Sequence, residues 1–383
     1  MSYQIVKYRP AHREQLLELQ KHNWGPYLRL NAANLDWKLL NSPYLSNPCI
    51  YLAFCGDELV GIRAMFGTKW QLKGSGEETV IPFSCDTLVL PEHRKHGLLG
   101  KLTEFALKDL AALGYSHVGL SSAGPATHIQ AVMSGWRCLG AYEMYTRAAE
   151  IPIKTKAVRD FFLKQGDIGR KVRKYVMAPF HRLTRDESKG SNRLYKTFAS
   201  GEIAEDVSIK IEAKPRASQM AELAAKCRTD SRIHHVRDED YFAWRYLNPK
   251  RAYCFFFLER DQQLDAFMVL QSGTSPMQSD INIVDWEAVD INARRSLLDA
   301  ALKIGSSIGF STWVVSLTDE EKKMLRTAGF AAVPQPENVA RTGPGFILRN
   351  TLDPKISGVP LIDSDAFFDL ASWDLRMIDA DNL

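Results

Sequence analysis

The chain has 383 residues, of which 45% are hydrophobic and 25% are charged, and this length is enough for about two ordinary domains with buried cores. Its net charge of +4 is too small to favour nucleic acid as the main partner. It contains no run of about 18 apolar residues that could cross a membrane, and its N-terminus is polar where a signal peptide would be apolar, so we expect a cytoplasmic protein.

The first half predicts a hairpin followed by a strand, a helix and another strand. Apolar strands at 50–54 and 59–66 flank a turn with glycine and acidic residues, which is typical of a β-hairpin. A strand at 84–90 leads into a helix that is apolar on one face and ends at Gly114. The next predicted strand occupies 117–121.

The second half repeats this pattern with one change. Trp244 corresponds to Trp37, and a strand at 283–289 is again followed by a helix, at 296–308. These features predict two copies of one structural unit. The intervening loop at 290–295 contains no glycine, so we expect the second copy to lack the special loop of the first.

The segment between the two copies is strongly basic. Residues 154–196 contain thirteen Lys or Arg against four acidic residues, together with apolar residues at loosely helical spacing. One interpretation is a solvated amphipathic connector between two domains. The other is a surface for an anionic partner, such as lipid head groups or a phosphorylated molecule.

The six cysteines are scattered along the chain. They form no CxxC pair and have no histidine at ligand spacing. This pattern favours neither a zinc site nor a disulfide framework, and we expect reduced, mostly buried thiols and no bound metal.

The sequence HRKHGLLGKL, residues 93–102, places two glycines among basic residues where a strand passes into a helix. A helix N-terminus presents unpaired backbone N–H groups, and glycine lets the main chain approach a bulky anion because it has no Cβ. Gly97 and Gly100 therefore predict a pyrophosphate seat, to which Arg94 and Lys101 would add positive charge. The alternative is a plain strand-to-helix turn in which glycine serves conformation only.

Residues 90–98 resemble the acyl-CoA-binding signature of the GNAT superfamily of N-acetyltransferases. Arg94 and Gly97 match the arginine and the first glycine of that signature. Leu99 stands where the family has glycine or alanine, with Gly100 one place later.

The resemblance implies a fold class and a domain organisation. It also covers the GDELVG turn at 56–61 and the Ser-Gly-Trp sequence at 134–136. The implied fold is α/β (α+β), with two GNAT-like domains, each a mixed, mostly antiparallel twisted sheet flanked by helices. The implied parts are a catalytic domain that binds acetyl-CoA (1–150), a basic connector (151–204), a degenerate GNAT-like domain (205–350) and a C-terminal tail (351–383).

By the same resemblance, acetyl-CoA is the co-substrate and no metal takes part. The strand before the loop would hold the pantetheine arm through its backbone, the loop would hold the pyrophosphate, and an N–H near Leu88 would stabilise the oxyanion. The implied cofactor-binding residues are Leu88, Val89, Leu90, Arg94, Lys95, His96, Gly97, Leu98, Leu99, Gly100 and Lys101.

Three residues are candidates for proton transfer and substrate contact. The usual tyrosine position of the family is occupied by Ala131, and His128, on a helix predicted at 127–134, is the nearest titratable residue. Asp86, just before the cofactor loop, is the candidate carboxylate, and Tyr142 is a candidate on the substrate side. For each of the three, a structural role is the alternative.

The implied reaction is N-acetylation of a primary amine on a small molecule. By resemblance to tandem GNAT proteins, the first acceptor hypothesis is an amino sugar of surface-polysaccharide synthesis. The alternative is a non-catalytic acyl-CoA-binding protein with a regulatory or interaction role. Two other partners stay open: an anionic membrane contacted through 154–196, and a second copy of the chain in a homo-oligomer.

Overall fold

In a computed structural model, the chain is a mixed α/β protein, as predicted from the sequence. The structure describes residues 2–72, 74, 76–121, 124–149, 194–201, 208–228, 231–272, 281–315, 317–334, 345–351 and 367–379. Within these ranges, no helix is both long and apolar enough to cross a membrane. Most of the predicted connector, 151–204, lies outside the described residues, so its role stays a prediction.

The first half builds one sheet with helices on both sides. Its elements are β1 (Gln4–Lys7), α1 (Arg13–Trp24), α2 (Leu28–Leu35), β2 (Cys49–Cys55), β3 (Glu58–Gln71), β4 (Glu78–Val89), α3 (Leu98–Ala112), β5 (His117–Ser121), α4 (Pro125–Met133), β6 (Arg137–Ala141) and β7 (Glu143–Arg147). Helix α2 continues into a π-helical turn at Asp36–Leu40. Strands β2 and β3 form the predicted hairpin.

Strand alternation gives this sheet two buried faces. On one face, Leu16 of α1 packs in a cluster with Ile50 and Leu52 of β2. On the other face, Leu102 of α3 packs in a cluster with Tyr51 of β2. We call these the α1 face and the α3 face.

The second half repeats the order of the first and adds two strands. Its elements are β8 (Ile209–Glu212), α5 (Ala217–Lys226), β9 (Ile233–His235), α6 (Glu239–Arg245), β10 (Tyr253–Arg260), β11 (Gln263–Ser272), β12 (Ile281–Ala288), α7 (Ile291–Ile304), β13 (Phe310–Val315), α8 (Asp319–Thr327), β14 (Ala331–Ala332), β15 (Gly345–Asn350) and β16 (Trp373–Arg376). A short helical segment at 194–199 precedes them. The added strands, β9 and β16, join the two sheets through β3 and β13.

The prediction for the start of α7 was wrong. The sequence predicts a helix at 296–308 after a loop at 290–295, but the helix begins at Ile291. Asp290 explains the difference, because its carboxylate accepts a hydrogen bond from the Ala293 amide at 2.7 Å and caps the helix. The predicted loop is therefore the first turn of α7.

The two halves exchange their last strands, which the sequence did not reveal. The first-half sheet has the order β1-β2-β3-β4-β5-β15-β6, so a strand from the second half lies inside it. The second-half sheet has the order β8-β10-β11-β12-β13-β7-β14, so β7 of the first half lies inside that one. Each sheet is complete only with a strand from the other half.

The exchanged strand β15 is held on both of its edges. Ile347 lies opposite Leu120 of β5 on one side and Cys138 of β6 on the other. Phe346, Ile347 and Leu348 are all fully buried. The sequence boundaries at 150 and 205 divide the repeats but do not divide the sheets.

Two equivalent tryptophans connect the halves reciprocally. The Nε1 of Trp37 donates to the carbonyl oxygen of Trp244, and the Nε1 of Trp244 donates to the carbonyl oxygen of Trp37, both at 2.8 Å. Their rings stack with centroids 5.3 Å apart. The two repeats therefore contact each other through the same residue of each repeat.

We expect Trp37→Phe and Trp244→Phe each to lower the free energy of unfolding by about 1–3 kcal/mol, because each leaves a buried carbonyl without its donor. Trp24→Phe is the matched control, since the Nε1 of Trp24 has no hydrogen-bond partner among the described residues. Urea unfolding of the three variants measures the difference. Equal losses in all three would contradict the importance of the reciprocal bonds.

Candidate active site

Strands β4 and β5 diverge and leave a cleft in the first-half sheet. They pair in parallel at one position, Phe83 opposite Gly119. On the other edge of β4, the Leu90 amide donates to the Val60 carbonyl oxygen of β3 at 3.0 Å. Because main-chain groups alternate along a strand, the amide of Val89 faces away from β3, toward the cleft.

This alternation distinguishes among the predicted pantetheine-binding residues. The amides of Leu88 and Leu90 face β3, and the Leu88 side chain is buried in the core on the α1 face. Val89 therefore presents its backbone to the cleft better than Leu88 does. Its carbonyl oxygen accepts a hydrogen bond from the Nε of Arg94 at 3.0 Å, which ties the predicted cofactor loop to β4.

A β-bulge interrupts β4 at the mouth of the cleft. The register passes from Ala64 opposite Cys85 to Ile62 opposite Leu88, so that two residues of β4 lie opposite one residue of β3. Asp86 is the bulged residue with φ of 46°, in the left-handed region. The sequence showed Asp86 as a strand residue but gave no sign of the bulge.

The N-terminus of α3 offers an open row of amides. Gly97 precedes the helix with φ of 69°, and the first backbone bond runs from the Lys101 amide to the Gly97 carbonyl oxygen at 3.1 Å. The amides of Leu98, Leu99 and Gly100 therefore have no acceptor within the helix. A Cβ built on Gly97 or Gly100 would meet no atom within 4 Å.

The basic residues of the loop surround this row. Arg94, Lys95, His96 and Lys101 are exposed, whereas the Leu98 side chain is buried on the α3 face. Open space, unpaired amides and exposed positive charge are what a pyrophosphate group requires. The residues present thus fit the phosphates of coenzyme A.

The equivalent helix N-terminus in the second half is already occupied. The Asp290 carboxylate that caps α7 puts a negative charge where an anion would bind. This agrees with the expectation that the second copy lacks the special loop of the first.

The equivalent cleft in the second half is filled by β16. Strands β12 and β13 pair only near their starts, and β7 covers the far edge of β13. At Val314 of β13, one edge pairs with β7 and the other edge pairs with Arg376 of β16. Strand β16 therefore lies on the side of β13 that faces β12, inside the cleft. Arg376 also donates to the Trp286 carbonyl oxygen of β12. Part of the predicted tail, 351–383, is therefore a strand, and the alternation in WDLR at 373–376 is the signal that could have found it.

Asp86 projects to the α1 face and contacts a lysine. Its Oδ1 lies 3.2 Å from the Nζ of Lys38, and both side chains are almost fully buried. Its Oδ2 is buried and has no hydrogen-bond partner in the described part of the chain. Lys38, which sequence reasoning missed, follows Trp37 in the repeated motif and could have been found by that position.

Polar side chains from both halves gather beside Lys38. The Nζ of Lys38 lies 5.6 Å from the centroid of the Trp24 ring, and the Nζ of Lys250, from the second half, lies 5.0 Å from it. Lys250 also donates to the Oδ1 of Asn31 at 3.0 Å. The Nδ2 of Asn34 is buried without a partner among the described residues.

The other two catalytic candidates lie elsewhere in the first half. His128 of α4 is fully buried, and neither ring nitrogen has a hydrogen-bond partner among the residues that the structure describes. Tyr142 is also buried, and its hydroxyl lies 2.7 Å from the Oγ of Ser121 at the end of β5. Burial raises the pKa of Tyr142. No hydrogen bond within the described ranges joins Asp86, His128 and Tyr142 to one another.

Comparison with known proteins identifies the fold. Residues 7–127 match the family model of the acetyltransferase (GNAT) domain, whereas no curated protein matches the chain significantly in sequence. A GCN5-related N-acetyltransferase from Anabaena variabilis has a similar structure, with a TM-score of 0.59, 11% identity and coverage of 92% of this chain and 73% of that one. A probable N-acyltransferase of unknown function from Enterococcus faecalis is also similar in structure. Its TM-score is 0.58 at 10% identity, with coverage of 92% of this chain and 73% of that one.

A third similar structure has two GNAT domains in one chain. It is a tandem GNAT protein from the clavulanic acid biosynthesis pathway, with a TM-score of 0.52, 11% identity and coverage of 92% of this chain and 99% of that one. At these identities the likeness concerns the fold. Residues 7–127 thus match a GNAT acetyltransferase domain, and the fold of the chain is similar to that of a tandem GNAT protein.

Proposed function

We propose that the chain transfers an acetyl group from acetyl-CoA to a primary amine of a small molecule, with the first half as its catalytic domain. The observation that carries this proposal is the open N-terminus of α3 beside the unpaired edge of β4. An acyl-CoA uses both features, because its pyrophosphate is an anion and its pantetheine arm has amide groups that can pair with a strand edge.

The residues of the cleft take separate roles in this proposal. The amides of Leu98, Leu99 and Gly100 bind the pyrophosphate, and the backbone of Val89 binds the pantetheine arm. The bound co-substrate supplies the thioester that the amine attacks. The acceptor approaches from the α1 face, where the Oδ2 of Asp86 can accept a hydrogen bond from the attacking amine.

For the acceptor we propose a small polar amine, with an amino sugar as the first candidate. The support is the polar lining of the α1 face beside Asp86. The indole N–H of Trp24 and the amide N–H of Asn34 are donors without partners in the described residues, so oxygen atoms of an acceptor could satisfy them.

A non-catalytic acyl-CoA-binding protein is the second candidate. It is favoured by one observation: Asp86 is held by Lys38, and no hydrogen bond in the described ranges extends from Asp86 to His128 or Tyr142. In that case acetyl-CoA would bind, but no amine would accelerate release of the free thiol. A screen of amines with thiol detection separates the two candidates.

We expect Gly97→Glu to weaken acetyl-CoA binding by at least about 100-fold, because it places a carboxylate in the pyrophosphate seat. This corresponds to about 2.7 kcal/mol of binding free energy. Calorimetric titration of the wild type and the variant measures it.

Two control variants isolate the cause of that loss. Gly97→Asn keeps a residue type that tolerates positive φ and adds no charge, so we expect it to lose less than about 10-fold. Ala112→Glu adds the same charge at the exposed far end of α3 and should leave binding unchanged. Unchanged affinity in Gly97→Glu would place the cofactor elsewhere, and no binding by the wild type would end the proposal.

A further inference from the structure

The first-half sheet contains a buried arginine that the proposed site does not use. Arg63 lies in the middle of β3 and is 1% exposed. It pairs across the ladder with Tyr51, which packs on the α3 face, so the two side chains share that face. Its guanidinium carbon lies 5.4 Å from the centroid of the Trp136 ring.

This arginine has no counter-ion within the described residues. Its Nε and Nη1 are buried without hydrogen-bond partners, and no carboxylate in those ranges forms an ion pair with it. Burial lowers the pKa of Arg63 to about 10, while nearby Cys85 acts in the opposite direction. The guanidinium therefore stays charged at neutral pH. A buried charge without a counter-ion destabilises a fold, and the contact with the Trp136 ring offsets only part of that cost.

The position of Arg63 relative to the cleft suggests what meets this charge. In the ladder it is the β3 residue opposite the bulge formed by Asp86 and Thr87. A pantetheine arm bound along β4 from the α3 N-terminus would pass Val89 and bring its thiol end toward this bulge. The sulfur atom of coenzyme A would then lie one strand away from Arg63, within the reach of an extended arginine side chain.

The reaction produces a negative charge at that sulfur. The amine nitrogen forms a bond to the acyl carbon, the carbon–sulfur bond breaks, and the bonding electron pair leaves with the sulfur as a thiolate. The extra proton of the amine passes to an acceptor such as Asp86. A preorganised cation in a site that excludes water stabilises such a developing charge strongly.

We propose that Arg63 is a catalytic residue that stabilises the thiolate of coenzyme A as it leaves the acyl group. The inference rests on the proposed function and adds a role that backbone contacts cannot supply. The ring of Trp136 lies against the guanidinium, and its indole N–H is buried without a hydrogen-bond partner in the described ranges.

The direct test is the titration of the thiol of bound coenzyme A. Thiolate absorbance is followed against pH for protein saturated with coenzyme A, and the same titration with desulfo-coenzyme A removes the contribution of protein thiols such as Cys85. In the wild type we expect the bound thiol to ionise at least about one pH unit below an ordinary thiol near 8.5. In Arg63→Met we expect it to ionise at or above that range.

Kinetic and stability measurements complete the test. We expect Arg63→Met to lower kcat by about 100-fold, the scale on which single charge-stabilising groups act, while the Kd for coenzyme A changes less than about 10-fold. Arg63→Lys keeps the charge and should recover part of kcat. The melting temperature of Arg63→Met should equal or exceed that of the wild type, since an unpaired buried charge is replaced by an apolar side chain.

The outcomes separate this proposal from the proposed function. If calorimetry shows no binding of coenzyme A to the wild type, both are overturned. If coenzyme A binds but its thiol ionises at the same pH in the wild type and in Arg63→Met, the role of Arg63 is overturned and the proposed function stands. A lower melting temperature together with lost binding in Arg63→Met, and no recovery in Arg63→Lys, would make Arg63 a structural residue.

Discussion

Ile347→Asp will unfold the first half of the protein, although Ile347 belongs to the second half of the sequence. The side chain is fully buried in β15, between β5 and β6, and packs in the core of the α3 face. A carboxylate there has no partner, and burying an unpaired charge costs several kcal/mol. We expect a loss above about 4 kcal/mol, which is a large part of the stability of an ordinary domain.

The measurement is urea unfolding together with acetyl-CoA titration. We expect Ile347→Asp to lose acetyl-CoA binding because β15 supports β5, one wall of the cofactor cleft. Ala332→Asp is the matched control, since Ala332 is an exposed residue of β14 in the same half of the sequence. Retained binding in Ile347→Asp would contradict the strand exchange.

Arg237→Met will lower the free energy of unfolding by about 3–5 kcal/mol, because it leaves the buried Asp285 carboxylate without the arginine that pairs with it and removes one of the arginines that pair with Glu287. Arg237 lies 2.6 Å from Asp285 and also pairs with Glu287, and all three side chains are buried. Tyr246 donates to the other oxygen of Asp285 at 3.1 Å. Urea unfolding at neutral pH measures the loss.

The loss should depend on pH in a defined direction. Burial already raises the pKa of Asp285 against the opposing effect of Arg237, and removal of Arg237 raises this pKa further. A raised carboxylate pKa in the folded state means that ionisation destabilises the fold, so the variant should weaken relative to the wild type as the pH rises above about 4. Arg260→Met is the control, because Arg260 is 49% exposed and its ion pairs should contribute less than about 1 kcal/mol. Similar losses in both variants would contradict the importance of burial.

The local elements of the proposed cofactor site could be predicted from the sequence. Strand β5 was predicted at its observed bounds, and the end of α3 within two residues, because alternation, helical spacing and glycine are properties of neighbouring residues. The predicted start of α7 was wrong because Asp290 caps the helix, so that residues 291–295 form its first turn. Such a cap involves only neighbouring residues, so the sequence does contain this signal.

The strand exchange could not be predicted in the same way. The apolar residues of β15 indicate a buried strand. They do not indicate which strands it pairs with, because that pairing depends on how the whole sheet assembles. Arg63 was missed for a related reason. A single charge in a strand shows neither its burial nor its position opposite the bulge of β4.

The strand exchange also limits how the second repeat can change over generations. A duplicated copy that carries no chemistry is ordinarily free to accumulate substitutions, shrink or disappear. Here the second copy has a capped helix N-terminus and a cleft filled by β16, yet it must keep β15, because that strand completes the sheet of the other copy. Selection on the first repeat therefore acts on residues 345–350 of the second, and deletion of the second repeat would remove a strand from the sheet of the first.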